Sequence, residues 1–204
     1  MKWRRWATTI VVTLVGLVPL GLILRDWWSG ALVEPVKEIT HRTGWWTLFL
    51  LSLTLGVTPA RRWTGWHALI RQRRTLGLLA FTYATLHFLT YLVLDQFFAW
   101  SYIWEDIAKR PYITVGFTAW LLLIPLAVTS TKGWIRRLGR RWGVLHRLVY
   151  VVAALGVLHF LWLVKADVRE PVAFGLVLVG LLTTRLARIR SRQAPRPARA
   201  ESQE

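Results

Sequence analysis

The chain has 204 residues, of which 54% are hydrophobic, with 14 tryptophans, no cysteine and a formal charge of +17. The absence of cysteine excludes disulfides, Cys-ligated iron–sulfur clusters and a haem attached through Cys-x-x-Cys-His. The basic residues alternate with apolar runs instead of forming one patch, which argues against a nucleic-acid binder.

A run of about 20 apolar residues crosses a bilayer as a helix. The sequence predicts an all-α integral membrane protein, a six-transmembrane-helix bundle, with spans at 6–24, 43–57, 75–94, 112–128, 143–164 and 171–186. The first begins like a signal peptide, but no small-x-small cleavage site precedes Arg25-Asp26, so it reads as a retained helix. Pro125 is expected to kink the fourth. Residues 1–190 read as one membrane domain, and 191–204 as a polar, Pro-containing disordered tail. The N-terminus, the second and fourth connections and the tail carry 19 of the 27 Lys and Arg residues, and the opposite side carries 7, with Arg147 inside the fifth span. By the positive-inside rule both termini are cytoplasmic.

Leu-His-x-Leu occurs three times in these greasy segments, at His87, His146 and His159. A polar ring inside a membrane is costly and is usually functional, although a neutral histidine can also satisfy itself on a neighbouring helix. The midpoint of the third span is near residue 84 or 85, and that of the fifth near residue 153. His159 is then about 9 Å outward of centre and His146 about 10 Å inward. His87 lies slightly outward, so His87 and His159 share a half of the bilayer and suit a bis-histidine haem site. The only methionine is the first residue, which leaves histidine as the common non-covalent haem ligand. Thirteen residues separate His146 from His159, which puts them on nearly opposite faces of an ideal helix. A π-bulge near Gly156 is the expected correction if both are to face the bundle. His41, at the outer mouth of the second helix, and His67, in an inner loop, read as interfacial or solvated.

No Gly-x-Gly-x-x-Gly unit, phosphate loop or soluble nicotinamide domain is present. The connections are under about 20 residues, against roughly 100 for a domain, so the chain carries no nicotinamide domain of its own. Arg71, Arg73, Arg74, Arg140 and Arg141 stand beside helix starts and are candidates for contacts to a phosphate group or another bound cofactor. They equally serve topology and anionic lipid. The outer connections carry Asp26, Glu34, Glu38, Asp95, Glu105, Asp106, Asp167 and Glu170, a candidate rim for a redox partner.

The motifs HRTG, TLGVTPARRWTG, RRTLGLLAFTYATLHFLTY, RPYITVG, LAVTSTKG, RRLGRRWGVLHRLVY and LHFLWLVKAD resemble the MsrQ (YedZ) family, part of the ferric-reductase-like transmembrane superfamily. The resemblance implies the haem-binding membrane subunit of a bacterial system that reduces methionine sulfoxide in periplasmic proteins. It implies haem b, bound FMN, electrons from the quinone pool or a cytoplasmic flavin donor, and delivery to an MsrP-like periplasmic molybdenum-cofactor subunit that performs catalysis. It also implies the bacterial inner membrane, with the protein acting as an electron carrier and not itself an enzyme. Two haems are typical of the superfamily, each held by one histidine from the third helix and one from the fifth. His87 and His159 match the outer site; His146 matches the inner one, where its expected partner position holds Arg73. Two other readings stay open: a stand-alone cytochrome b561-like quinol oxidoreductase, and a non-redox membrane anchor.

Overall fold

The computed structural model describes residues 2–193, and among them every regular element is helical. In chain order these are α1 (Lys2–Trp28), α2 (Pro35–Thr64), α3 (Leu69–Leu89) with a π-helical extension (Thr90–Asp95), α4 (Trp100–Lys109), α5 (Pro111–Val128), α6 (Lys132–Leu138), α7 (Arg140–Leu145), α8 (Leu148–Leu163) and α9 (Arg169–Gln193). Four stretches are long and apolar enough to cross a membrane: Trp6–Trp28, Leu69–Asp95, Pro111–Val128 and Arg140–Leu163. The other two expected spans fall within α2 and α9, helices of 30 and 25 residues. Helix α9 runs three residues into the segment expected to be a disordered tail, and 194–204 lie outside the described residues.

Helix α3 is central, packing against α1, α2 and α5, while α8 pairs with α5 and α9 lies on α2 and α8. Small residues allow the close approach: Ala80 and Ala84 of α3 are buried beside Leu50, Leu51 and Leu55 of α2. In lipid, where no hydrophobic effect drives helices together, such contact contributes much of the association.

Helix α1 is fixed by a tyrosine. Pro19 stands inside it, and proline removes one ladder hydrogen bond and crowds the preceding turn. One residue on, Leu20 N–H donates to the Tyr83 hydroxyl (3.1 Å), which donates in turn to the Gly16 carbonyl (2.8 Å). Gly16 O and Leu20 N are an i, i+4 pair, so the hydroxyl sits in the α1 ladder where they would otherwise meet. Tyr83 is fully buried, and the bridge ties α1 to α3.

The fifth segment is not one helix. It breaks at residues 146–147, where His146 has φ −71° and ψ −4°. Val149 N–H reaches His146 O (3.4 Å) and Tyr150 N–H reaches Arg147 O (3.1 Å), the i, i+3 pattern of a tightened turn. The irregularity expected near Gly156 is therefore ten residues earlier, at the histidine itself. Gly156 has a packing role: a Cβ there would lie 2.8 Å from Leu48 Cδ2. The π-helical turn instead ends α3, just beyond His87.

Tyr83→Phe should cost about 1 kcal/mol, since Leu20 N–H and Gly16 O can close on each other once the hydroxyl is gone. The measurement is a lower thermal midpoint in detergent with unchanged helix content.

Candidate functional site

The rings of His87 on α3 and His159 on α8 meet, with centroids 5.9 Å apart and planes at 83°. Each is half-buried and seated in the same way on a different helix. His87 Nδ1–H donates to the Thr40 carbonyl of α2 (2.9 Å). His159 Nδ1–H donates to the Tyr112 carbonyl of α5 (2.7 Å).

A helix carbonyl already receives the N–H four residues on. For Thr40 that residue is Gly44, and for Tyr112 it is Gly116. A Cβ on Gly44 would lie 3.1 Å from the His87 ring, and one on Gly116 2.6 Å from His159 Nδ1. Glycine thus lets each imidazole lie over the turn and share the carbonyl's second lone pair. Because a carbonyl only accepts, each Nδ1 must carry the proton, and each neutral ring presents Nε2 as a free lone pair. This is the arrangement by which a metal-ligating histidine is oriented by its own second nitrogen.

Both rings could hold one metal ion through Nε2, since a metal–imidazole bond is about 2 Å long. Ring centroids 5.9 Å apart put the two side chains within reach of a shared ion. Phe88, next to His87, stacks on Trp120 (4.5 Å, 26°), and Trp120 Nε1–H donates to Thr85 (3.2 Å). These contacts join α3 to α5 beside the pair.

His146 is apart from this pair, at the α7–α8 break. Its ring stacks on Trp142 (3.9 Å, 27°), and Nδ1–H donates to the Trp142 carbonyl (3.1 Å). Trp142 is itself anchored, its indole N–H on Thr129 O (3.0 Å). His146 Nε2 is buried and makes no close hydrogen bond, with the Leu126 backbone nearby. Of the five candidate arginines, Arg73 is half-buried, while Arg71, Arg74, Arg140 and Arg141 are exposed. None of the five has a carboxylate partner among the described residues.

His41 is exposed, 3.5 Å from Glu170, with its ring edge against Phe160. His67 is exposed in the α2–α3 turn. The candidate acidic rim is largely neutralised by its own cations. Asp26 pairs with Arg25 and Arg42, Glu34 with Lys37, Glu38 with Arg42, Glu105 with Lys109, Asp106 with Arg110 and Asp167 with Arg169.

Sequence reasoning missed Thr40, Gly44, Tyr112 and Gly116. The signal available was a glycine closing both HRTG and RPYITVG. The carbonyl acceptors themselves carry no mark in the side-chain code.

Residues 43–157 match the family model described as ferric reductase like transmembrane component. A protein-methionine-sulfoxide reductase heme-binding subunit MsrQ of Xanthomonas campestris pv. campestris (strain 8004) is 55% identical over 177 residues, covering 83% of this chain and 81% of that protein. Subunits of the same name from Xanthomonas axonopodis pv. citri (strain 306) and Herminiimonas arsenicoxydans are 52% and 53% identical, covering 88% and 75% of this chain and 86% and 72% of theirs. The chain belongs to the MsrQ family. With a transmembrane family and several apolar helices, it is a multi-pass membrane protein. The matched segment of this MsrQ-family chain contains Gly44, His87, Gly116 and His146 and ends two residues before His159.

Gly116→Ala should unseat His159 while leaving His87 in place, and Gly44→Ala should do the reverse, more weakly because its ring is further away. With isotope-labelled histidine, each substitution should remove one hydrogen-bonded Nδ1–H resonance and retain the other.

Proposed function

We propose that this chain is the haem b electron-transfer subunit of a periplasmic methionine sulfoxide reductase system. In this reading His87 and His159 would hold the iron of one haem b in the outer half of the membrane. The observation that carries it is the matched seating of the two rings, each with Nδ1–H on a helix carbonyl and Nε2 free. A haem there would supply a one-electron couple held within the membrane. Thr40 and Tyr112 fix the tautomer and raise the basicity of each ring. Gly44 and Gly116 provide the room, and the Phe88–Trp120 stack ties α3 to α5 beside it. His146, its Nε2 buried without a close hydrogen bond, is the residue on the basic face fitted to a second cofactor.

The basic face is cytoplasmic in this reading, with six spans, both termini inside and the whole in a bacterial inner membrane. Residues 1–190 then form the haem-binding domain and 191–204 a tail. Electrons enter from the quinone pool or a cytoplasmic flavin donor and leave to an MsrP-like molybdenum-cofactor subunit, where sulfoxide reduction takes place. The case for FMN rests on the family resemblance; Arg71, Arg73, Arg74, Arg140 and Arg141 contribute positive charge toward its phosphate.

His87→Ala and His159→Ala should each strip most of the haem from protein that still inserts in the membrane. The measurement is haem per chain by pyridine haemochrome, alongside the reduced-minus-oxidised spectrum. Full haem retention in both variants would overturn the assignment.

A further inference from the structure

The 15 residues between the membrane-crossing stretches Leu69–Asp95 and Pro111–Val128 contain a helix that the span analysis leaves unexplained. Both neighbours end on the acidic side, so α4, 10 residues and about 15 Å long, is held at that surface by connectivity. At about 100° per residue Ile103, Ile107, Trp100 and Trp104 form one arc in that angular order, while the amphipathic Tyr102, 65% exposed, lies outside it beside Lys109. One edge of the arc is buried against the body, with Ile103 3% exposed. The other edge is bare: Trp100 is 57% and Trp104 63% exposed. Glu105 and Lys109 lie on the opposite side and pair with each other (2.5 Å).

The two residues leading into α4 are aromatic and strained. Phe97 and Phe98 have φ of 47° and 59°, a left-handed conformation that bulky residues rarely adopt. Folding sustains this conformation with both rings outward, Phe97 78% and Phe98 48% exposed, and Phe98 6.1 Å from Trp100.

We propose that α4 and Phe97–Phe98 are an interfacial anchor whose exposed aromatic edge is covered by the lipid headgroup boundary on the acidic side. Three observations favour lipid over a protein partner. The bare edge continues the same arc that α4 buries against the bundle, so it faces sideways along the membrane, not away from it. The helix charges close on themselves, Glu105 with Lys109 and Asp106 with Arg110, leaving no field to recruit a charged partner. Trp and Phe beside a polar opposite face are the composition that settles at a membrane–water interface.

The anchor is tied to both histidine seats. Tyr91, one turn beyond His87, donates its hydroxyl to Asp106 of α4 (3.3 Å). Thr114 of α5 donates to the Ile107 carbonyl, and Asp106 also holds Arg110 (3.2 Å), two residues before the Tyr112 carbonyl that seats His159. Lipid contact at α4 thus fixes the depth of the element bracing the His87–His159 pair.

The chain has no cysteine, so single-cysteine variants can be labelled at one chosen site in the full protein. Trp100→Cys, Trp104→Cys and Glu105→Cys would be spin-labelled and reconstituted in vesicles of phosphatidylethanolamine and phosphatidylglycerol. Collision with oxygen, which concentrates in lipid, is compared with collision with a water-soluble nickel chelate. Labels at 100 and 104 should both show an oxygen-to-nickel ratio several-fold above that at 105. A ratio at either position equal to that at 105 would overturn the proposal. So would nickel access at 100 and 104 that is lost only on adding a periplasmic catalytic subunit, which would assign the edge to protein. The measurement needs no haem, so its failure is distinct from failure of the proposed function.

Discussion

Two hydrogen bonds organise this molecule: an imidazole N–H on a helix carbonyl, made once between α3 and α2 and once between α8 and α5. In an apolar bundle a polar ring without a partner costs several kcal/mol. The only polar groups a membrane helix offers all along its length are carbonyls that already have one bond. To use the second lone pair, the ring must lie against the helix wall, and a side chain four residues on would be in the way. Glycine at 44 and 116 follows from that requirement, and so does the close approach of each helix pair at that level. The other small residues of the core, Ala80 and Ala84, keep α3 near α2 over the preceding turns.

The irregular backbone falls at the two ends of this arrangement. Beyond His87 the helix loosens into a π turn, and before α8 it breaks at His146. A continuous helix would have turned His146 and His159 to nearly opposite faces. The break frees His146 from that relation, and Trp142 then sets its ring by stacking and by its own carbonyl. The outcome is asymmetric. The rings of His87 and His159 each have Nδ1 on a carbonyl, and they lie close to one another. His146 has its second nitrogen buried without a close hydrogen bond, near the Leu126 backbone.

Much of this was legible in the sequence. Long apolar runs located the major helices, and depth counting from the flanking charges put His87 and His159 at one level. The fifth segment was harder, because spacing shows that an irregularity is needed but not where. Gly156 looked like the place and instead accommodates Leu48, while the turn formed at a histidine and an arginine, neither of which marks a break. The seats were illegible for a different reason. Thr40 and Tyr112 act through backbone, so their residue types say nothing, and only the glycines leave a trace. Tyr83 was hidden too, since a tyrosine in an apolar helix looks like core until its hydroxyl is seen in the ladder of α1. Helix α4 is too short and too charged to register as a span.

Charge reads differently at the two faces once the ion pairs are placed. The acids that made the outer connections look like a docking rim are, apart from Asp95, paired with neighbouring cations or with His41. Exposed pairs of this kind contribute little and are screened by salt. On the basic face no described carboxylate offsets Arg71, Arg73, Arg74, Arg140 or Arg141. The strong field of this protein is therefore on the side where electrons enter in the proposed function, and it suits anionic headgroups or a phosphorylated donor. In the proposed function a partner on the acidic face would meet acids that are already paired, so its recognition would rest on shape more than on long-range attraction. Such an encounter depends less on ionic strength than one steered by a bare acidic rim.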